Sequence, residues 1–416
     1  MDLISLLVLC AAVALAFVFK VNTGLVAVTA SLILGRCAGL TDKWLLNAFD
    51  SSLFLMLLGV MYLFCIAQEN RTLELLAKRI LALCKGKVKL FPPILFLLSA
   101  VISAIGPGLI SVTALMAALI VALAKEADVA PIKLLPFGTL GAFAGGLSPI
   151  TPSGIVAINT ASASGIEGLG APLFWMMALT NVLYGAILYF FIFKWHRHKR
   201  LAAAATGSAA EPIPAFSAKQ IATLAGILVT ALLTALFKVN VGLAAFAVSV
   251  VLTAIGAANE GAALKKVPWN TLVMITGMGI LISLVTELGG IDLLSKALSS
   301  LMGPATAAPI MTVLAGVMSW FSSASGVVMP TLIPTVPTIA ASLQGVSSLG
   351  ITVGLCVGAH LAALSPLSSC GGLMLAAYSS GDIDAKDRNR MFGQLFAMSA
   401  CGVVFGGLLA LVGLYG

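Results

Sequence analysis

The sequence predicts an all-α polytopic membrane protein built from two inverted repeats, each with five transmembrane helices and one re-entrant hairpin. Three observations predict it. First, 60% of the residues are hydrophobic and 9% charged, and windows such as 3–19 and 51–67 carry no charge at all. Such a chain cannot cover itself with a water-soluble surface. Second, Phe19-Lys20-Val21-Asn22 ahead of Gly24-Leu25 returns 218 residues later as Phe237-Lys238-Val239-Asn240 ahead of Gly242-Leu243. The register then holds: Ser31 matches Ser249, Met56 matches Met274, Gly59 matches Gly277, and Glu74-Leu75-Leu76 matches Asp292-Leu293-Leu294. Third, the basic residues cluster between apolar windows, where loops belong. A duplicated unit with an odd number of spans must insert its second copy upside down.

In the first half, apolar windows of spanning length lie near 3–19, 23–39, 51–68, 131–160 and 171–194. Their counterparts in the second half lie near 220–237, 239–257, 269–287, 348–378 and 391–414. The first window lacks a basic start and an Ala-x-Ala cleavage site, and it belongs to the repeat, so it reads as a span and not a signal peptide. Each half has one further apolar stretch, 90–124 and 305–343, interrupted midway by Ile105-Gly106-Pro107-Gly108 and by Ser322-Ser323-Ala324-Ser325-Gly326. These tips break helices. Non-helical backbone at membrane depth survives only inside protein or beside a watery cavity, so both stretches read as re-entrant hairpins.

With five spans per half, 19 of the 23 Lys and Arg residues fall on one face, and only Arg36, Lys43, Lys238 and Lys296 fall on the other. The positive-inside rule makes the basic face cytoplasmic and puts both termini outside. Between the third span and the hairpin of each half, 72–85 and 291–302 show helical amphipathic spacing, which suits a helix lying in the interface. The basic, then Ala-rich segment between the halves reads as a cytoplasmic strap.

Composition also excludes functions. The formal charge of +8 is explained by topology and does not point to nucleic acid. Seven cysteines without a Cys-x-x-Cys indicate neither a disulfide framework nor a metal centre. The chain carries neither His-Glu-x-x-His nor Gly-x-Ser-x-Gly, so no hydrolase is expected. Asp50, Glu69 and Glu287 sit at predicted span ends, leaving no embedded carboxylate pair of the kind cation/proton antiporters use.

The chemistry is expected at a motif that occurs twice in mid-window: Leu147-Ser148-Pro149-Ile150-Thr151-Pro152-Ser153-Gly154 and Leu364-Ser365-Pro366-Leu367-Ser368-Ser369-Cys370-Gly371. Proline removes a backbone donor and clashes with the preceding turn, so each copy predicts a helix interrupted at the midplane. The break frees carbonyls on one side and N–H groups on the other. Carbonyls and hydroxyls suit Na⁺, whereas the positive ends of half-helices suit an anion. No Lys or Arg lies in either tip or either break, so a midplane anion needs helix ends, hydroxyls and a co-bound cation. His360, five residues before Ser365, is a candidate proton carrier or anion donor, or else a neutral packing residue.

The order of scaffold spans, interfacial helix, hairpin with a small tip, and helix broken at Ser/Thr-Pro resembles the ion transporter superfamily, including its divalent anion/sodium symporters. The text from Gly145-Gly146-Leu147-Ser148-Pro149 to Gly154, after a Gly-Pro-Gly tip, is similar to the MatC-type malonate/dicarboxylate carriers. That resemblance implies an elevator-type transporter in a bacterial inner membrane and a homodimer. It implies a small anionic substrate, such as malonate or succinate, moved with co-transported sodium or protons and without a resident cofactor. It divides the chain into a scaffold (1–90) and a transport unit (91–194), a linker (195–219), and a second scaffold (220–304) and transport unit (305–416). Carried over position by position, the substrate contacts are Gly106, Pro107 and Gly108 at the first tip and Ser323 and Ser325 at the second. The breaks add Ser148, Pro149, Thr151, Pro152 and Ser153, and Ser365, Pro366, Ser368 and Ser369. Sodium is assigned to Ser148, Thr151, Ser323, Ser325, Ser365 and Ser368. The symporters carry Ser-Asn-Thr at both tips, and both Asn are missing here. The alternatives are a transporter of another inorganic or organic anion or a cation/proton antiporter of the same superfamily and, of a different class, a passive anion channel.

Overall fold

The computed structural model describes residues 1–82, 88–126, 129–194, 214–343, 345–379 and 385–416, and among them all regular structure is helical. In the first half, α1 (Asp2–Phe19) turns into α2 (Thr23–Cys37), followed by a short α3 (Asp42–Asn47), α4 (Ser51–Glu69) and the amphipathic α5 (Thr72–Ala82). The first hairpin is α6 (Phe91–Ala104) and α7 (Gly108–Glu126); the broken helix is α8 (Leu135–Gly145) and α9 (Pro152–Ala163); α10 (Gly170–Leu188) closes the half.

The second half repeats the plan with α11 (Ala218–Phe237), α12 (Val241–Ala254), α13 (Glu260–Lys266), α14 (Trp269–Glu287) and α15 (Gly290–Ser299). Its hairpin is α16 (Ala307–Phe321) with a returning arm made of a π-turn (Ala324–Val328), α17 (Met329–Leu332) and α18 (Val336–Ser342). The broken helix is α19 (Ser348–Leu361) and α20 (Ser369–Ser379), and α21 (Ala385–Leu411) ends the chain. Every anticipated span has a helix, and both predicted interruptions are present. Seven of the described helices are long and apolar enough to cross a membrane. Of the predicted interfacial ranges 72–85 and 291–302, the first is helical over its described residues, Thr72–Ala82, and the second ends at Ser299, short of 302. Residues 83–87 and most of the linker, 195–213, lie outside the described residues.

The repeat is visible atom by atom at the first turn. Lys20 and Lys238 both close their helices at φ 56°, and the side chains of Asn22 and Asn240 then accept from Gly24 N (2.8 Å) and Gly242 N (3.0 Å) to open the next helix. A left-handed C-cap followed by an Asn N-cap is the local chemistry that makes so tight a reversal. Helices α3 and α13, which the apolar pattern does not reveal, start from caps at Thr41 and Asn259, again 218 apart.

The halves pack crosswise. Helix α2 lies on α14, and α12 lies on α4. At the first crossing, a Cβ on Gly277 would strike the Gly24 carbonyl and one on Gly24 would strike Val273 O; at the second, a Cβ on Gly59 would strike the Gly242 carbonyl. Small residues let two backbones approach this closely inside a membrane, where water supplies no driving force between helices.

A joint of the same crosswise kind holds the start of each amphipathic helix. Asn70, between α4 and α5, donates through Nδ2 to Thr223 Oγ1 of α11 (2.7 Å) and to Ala257 O (3.3 Å), while Gln220 Nε2 donates to Asn70 O (2.9 Å). In the other half, the start of α1 packs on Gly289 and Gly290 at the head of α15, where a Cβ on Gly290 would meet Ser5 Oγ.

The broken helices sit at the centre. All residues of α8 and residues 350–361 of α19 are buried. Glycine again permits the contact: Gly141 and Gly145 of α8 lie against the Phe96 and Ala100 carbonyls of α6, and Gly358 of α19 lies against Thr312 O of α16. The half-helices leading into the interruptions are therefore wrapped in protein, whereas Pro149, Leu367 and Ser369 within them are exposed.

Candidate functional site

Each break is shaped by one hydroxyl. Thr151 Oγ1 donates toward Gly146 O (2.7 Å) and Ser148 O (2.8 Å) and accepts from Gly154 N (3.2 Å). Ser368 repeats the pattern with Ala363 O (2.6 Å), Ser365 O (2.7 Å) and Gly371 N (3.3 Å). Every partner is displaced by the same 217 residues. The hydroxyl gathers carbonyls orphaned at the end of one half-helix and caps the start of the next, so it satisfies both sides of the interruption. Gly154 and Gly371 are needed for a separate reason: a Cβ on either would collide with the carbonyl of Ser148 or Ser365.

A hydroxyl spent this way keeps one lone pair for a ligand. Ser323 Oγ accepts from Gly326 N (3.1 Å), and Ser365 Oγ accepts from Leu367 N (3.2 Å). Of the six hydroxyls assigned to sodium by resemblance, those of Ser148 and Ser325 have no protein hydrogen bond among the described residues.

The first tip, the first break and the second tip meet at one cavity of about 50 Å³. Pro107, Gly108, Leu109, Ile110 and Ser111 come from the first tip and the first turn of α7. Pro152 and Ser153 come from the first turn of α9, and Ser325 from the second tip. The remaining wall belongs to the scaffold helices: Met61, Phe64, Cys65 and Gln68 of α4, and Pro268, Thr271 and Ile275 at the head of α14. Two helix N-termini thus border one small space. Among the described residues, the backbone N–H groups of Leu109, Ile110, Ser153 and Ser325 donate to no backbone acceptor outside their own helix, as befits the first turn of a helix. A helix start with free N–H groups carries about half a positive charge and favours an anion. Among the described residues, no Lys or Arg lines the cavity. The nearest full charges in sequence, Glu69 and Lys266, pair with each other at 2.6 Å.

The structure separates the other expected residues from this cavity. Gly106 lies at φ 138° with no room for a Cβ beside Phe64, so it forms the tip without lining the space. Ser148, Pro149, Thr151 and Ser323 are not among the residues that line it. Ser365, Pro366, Ser368 and Ser369 belong to the second break, which does not reach this cavity; Ser365 is fully buried and Ser369 exposed. His360 is 1% exposed, its Nδ1 lies 2.7 Å from Cys356 O, and its Nε2 has no partner. Gln68, Ser111 and Thr271 were not anticipated. Nothing in their local sequence marks them, because the cavity brings them together from α4, α7 and α14.

Residues 1–146 match a family model described as the N-terminus of the dicarboxylate carrier protein MatC, which bears out the resemblance over that part of the chain. A solved structure, the YdaH transporter from Alcanivorax borkumensis, described as having an unusual topology, superposes with a TM-score of 0.59 at 13% identity. The superposition covers 89% of this chain and 87% of that one, a likeness of fold. No curated protein matches. The chain is an integral membrane protein with a transporter-like fold.

Proposed function

We propose that the chain is a secondary active carrier of a small dicarboxylate of the malonate or succinate class. The observation that carries this reading is the convergence of the N-termini of α7 and α9, with Ser325, on a cavity that no cationic side chain lines. With no Lys or Arg lining the cavity among the described residues, the charge of a dianion falls to helix ends, hydroxyls and a co-bound cation. Partial charges on backbone ends attract it and let it go, provided a cation shares the load. Cation symport, with Na⁺ or H⁺, is part of the proposal for that reason.

The motion follows from the same parts. Substrate has to pass between the two walls of this cavity, the tips and α9 on one side and α4 and α14 on the other, so these parts separate during transport. We read this as an elevator-like displacement of hairpins and broken helices past a scaffold of crossed helices, in a homodimer of inner-membrane topology with both termini outside. Inverted repeats are supported by the crosswise contacts, since an internal two-fold makes each seam occur twice with partners exchanged.

Purified protein in liposomes tests the proposal. Labelled succinate or malonate should exchange by saturable counterflow, and net uptake should require an inward Na⁺ or H⁺ gradient. Non-saturating flux driven by voltage alone would instead identify a passive anion channel.

A further inference from the structure

Resting on the carrier reading, we propose that Gln68, aided by Thr271, is a specificity-determining residue: the scaffold's own contact with the anion, selecting a dianion over a monoanion. The cavity has two kinds of wall. One is made of tips and half-helix starts, which offer N–H groups; the other is made of α4 and α14, which are otherwise apolar where they face it. Gln68 and Thr271 are the polar side chains of that second wall, apart from the thiol of Cys65.

Both are partly buried, and neither side chain has a hydrogen-bond partner among the described residues. Their polar neighbours are spoken for: Asn70 is held by Thr223 and Ala257, and Glu69 by Lys266. A half-buried amide left unpaired is costly unless a ligand or water completes it. Gln offers two N–H donors that do not titrate, a suitable match for a carboxylate. A dicarboxylate has two such ends. The half-helix starts can hold one, and Gln68 with Thr271 supplies donors for the other. A monocarboxylate leaves the scaffold donors unsatisfied, and a site built to hydrogen-bond a group rejects analogues that lack it.

Counterflow of labelled succinate, with butyrate as competitor, is to be measured for the wild type, Gln68→Ala, Gln68→Glu and Thr271→Val. Each ligand-free melting temperature serves as the folding control. Gln68→Ala should raise KM for succinate about tenfold with kcat little changed, as expected for one hydrogen bond to a charged group. It should also narrow the preference for succinate over butyrate. Gln68→Glu should abolish saturable exchange by placing a carboxylate against a carboxylate. Thr271→Val should give a smaller shift in the same direction as Gln68→Ala. Wild-type KM and an unchanged succinate-to-butyrate ratio in Gln68→Ala would overturn the inference while leaving the carrier reading intact. No counterflow of either dicarboxylate by the wild type would overturn both. If Gln68→Glu fails to fold, the ratio in Gln68→Ala and Thr271→Val decides.

Discussion

Gly24 and Gly277 touch backbone to backbone, and the residues 218 positions from each, Gly242 and Gly59, do the same. The two contacts exchange partners between the halves. Gly277→Val and Gly59→Val should therefore be about equally damaging. Each forces the crossing apart, at a cost of at least about 1–3 kcal/mol for overpacking. Thermal unfolding in detergent checks this, and a large inequality between the two variants would show that the seams are not equivalent.

The hydroxyl clasps at Thr151 and Ser368 carry structural weight. Thr151→Val and Ser368→Ala should each lower stability by about 1–3 kcal/mol, because carbonyls and a cap lose their partner. Thr151→Ser keeps the oxygen and should stay near wild type. Melting temperatures of the three variants make the comparison.

A negative charge at a half-helix start separates the two breaks. Ser153→Asp points into the cavity and should abolish succinate-dependent stabilisation in a thermal-shift assay, where a ligand bound only by the folded state raises the melting point. Ser369→Asp stands at the exposed second break and should retain it. Equal loss in both variants would mean that the second break also contacts the anion.

His360→Gln should leave the pH profile of uptake unchanged. The ring is 1% exposed and its Nδ1 lies 2.7 Å from Cys356 O, so in this conformation it is shielded from water. A shifted profile in liposomes would restore the proton-carrier role.

Much of the architecture was legible in the chain itself. The Ser-Pro motifs located both breaks because proline cannot continue a hydrogen-bonded helix, and the Lys-Val-Asn turn located the repeat because αL and N-cap positions tolerate few residues. What remained hidden depends on partners distant in sequence. The apolar faces of α2 and α14 show that each packs, not that Gly24 meets Gly277. Helices α3 and α13 are too short to show a period. Thr151 and Ser368 look like ligands in a hydroxyl-rich motif, yet the break they create takes up the hydroxyl proton and leaves one lone pair. Gln68 sits at the end of an apolar helix, where an amide ordinarily meets water, and only the arrival of α7, α9 and α14 turns it inward.

The exchanged seams also govern how the protein must be made. While the ribosome is still synthesising the second half, α4 has no α12 to lie on and α2 has no α14, so the early product waits in the bilayer with glycine-lined faces open. Completion is a docking of two halves, not a sequential winding of one. Residues 1–194 and 214–416 produced as separate polypeptides in the same cell should then find each other and assemble, whereas either piece alone should be cleared by proteolysis.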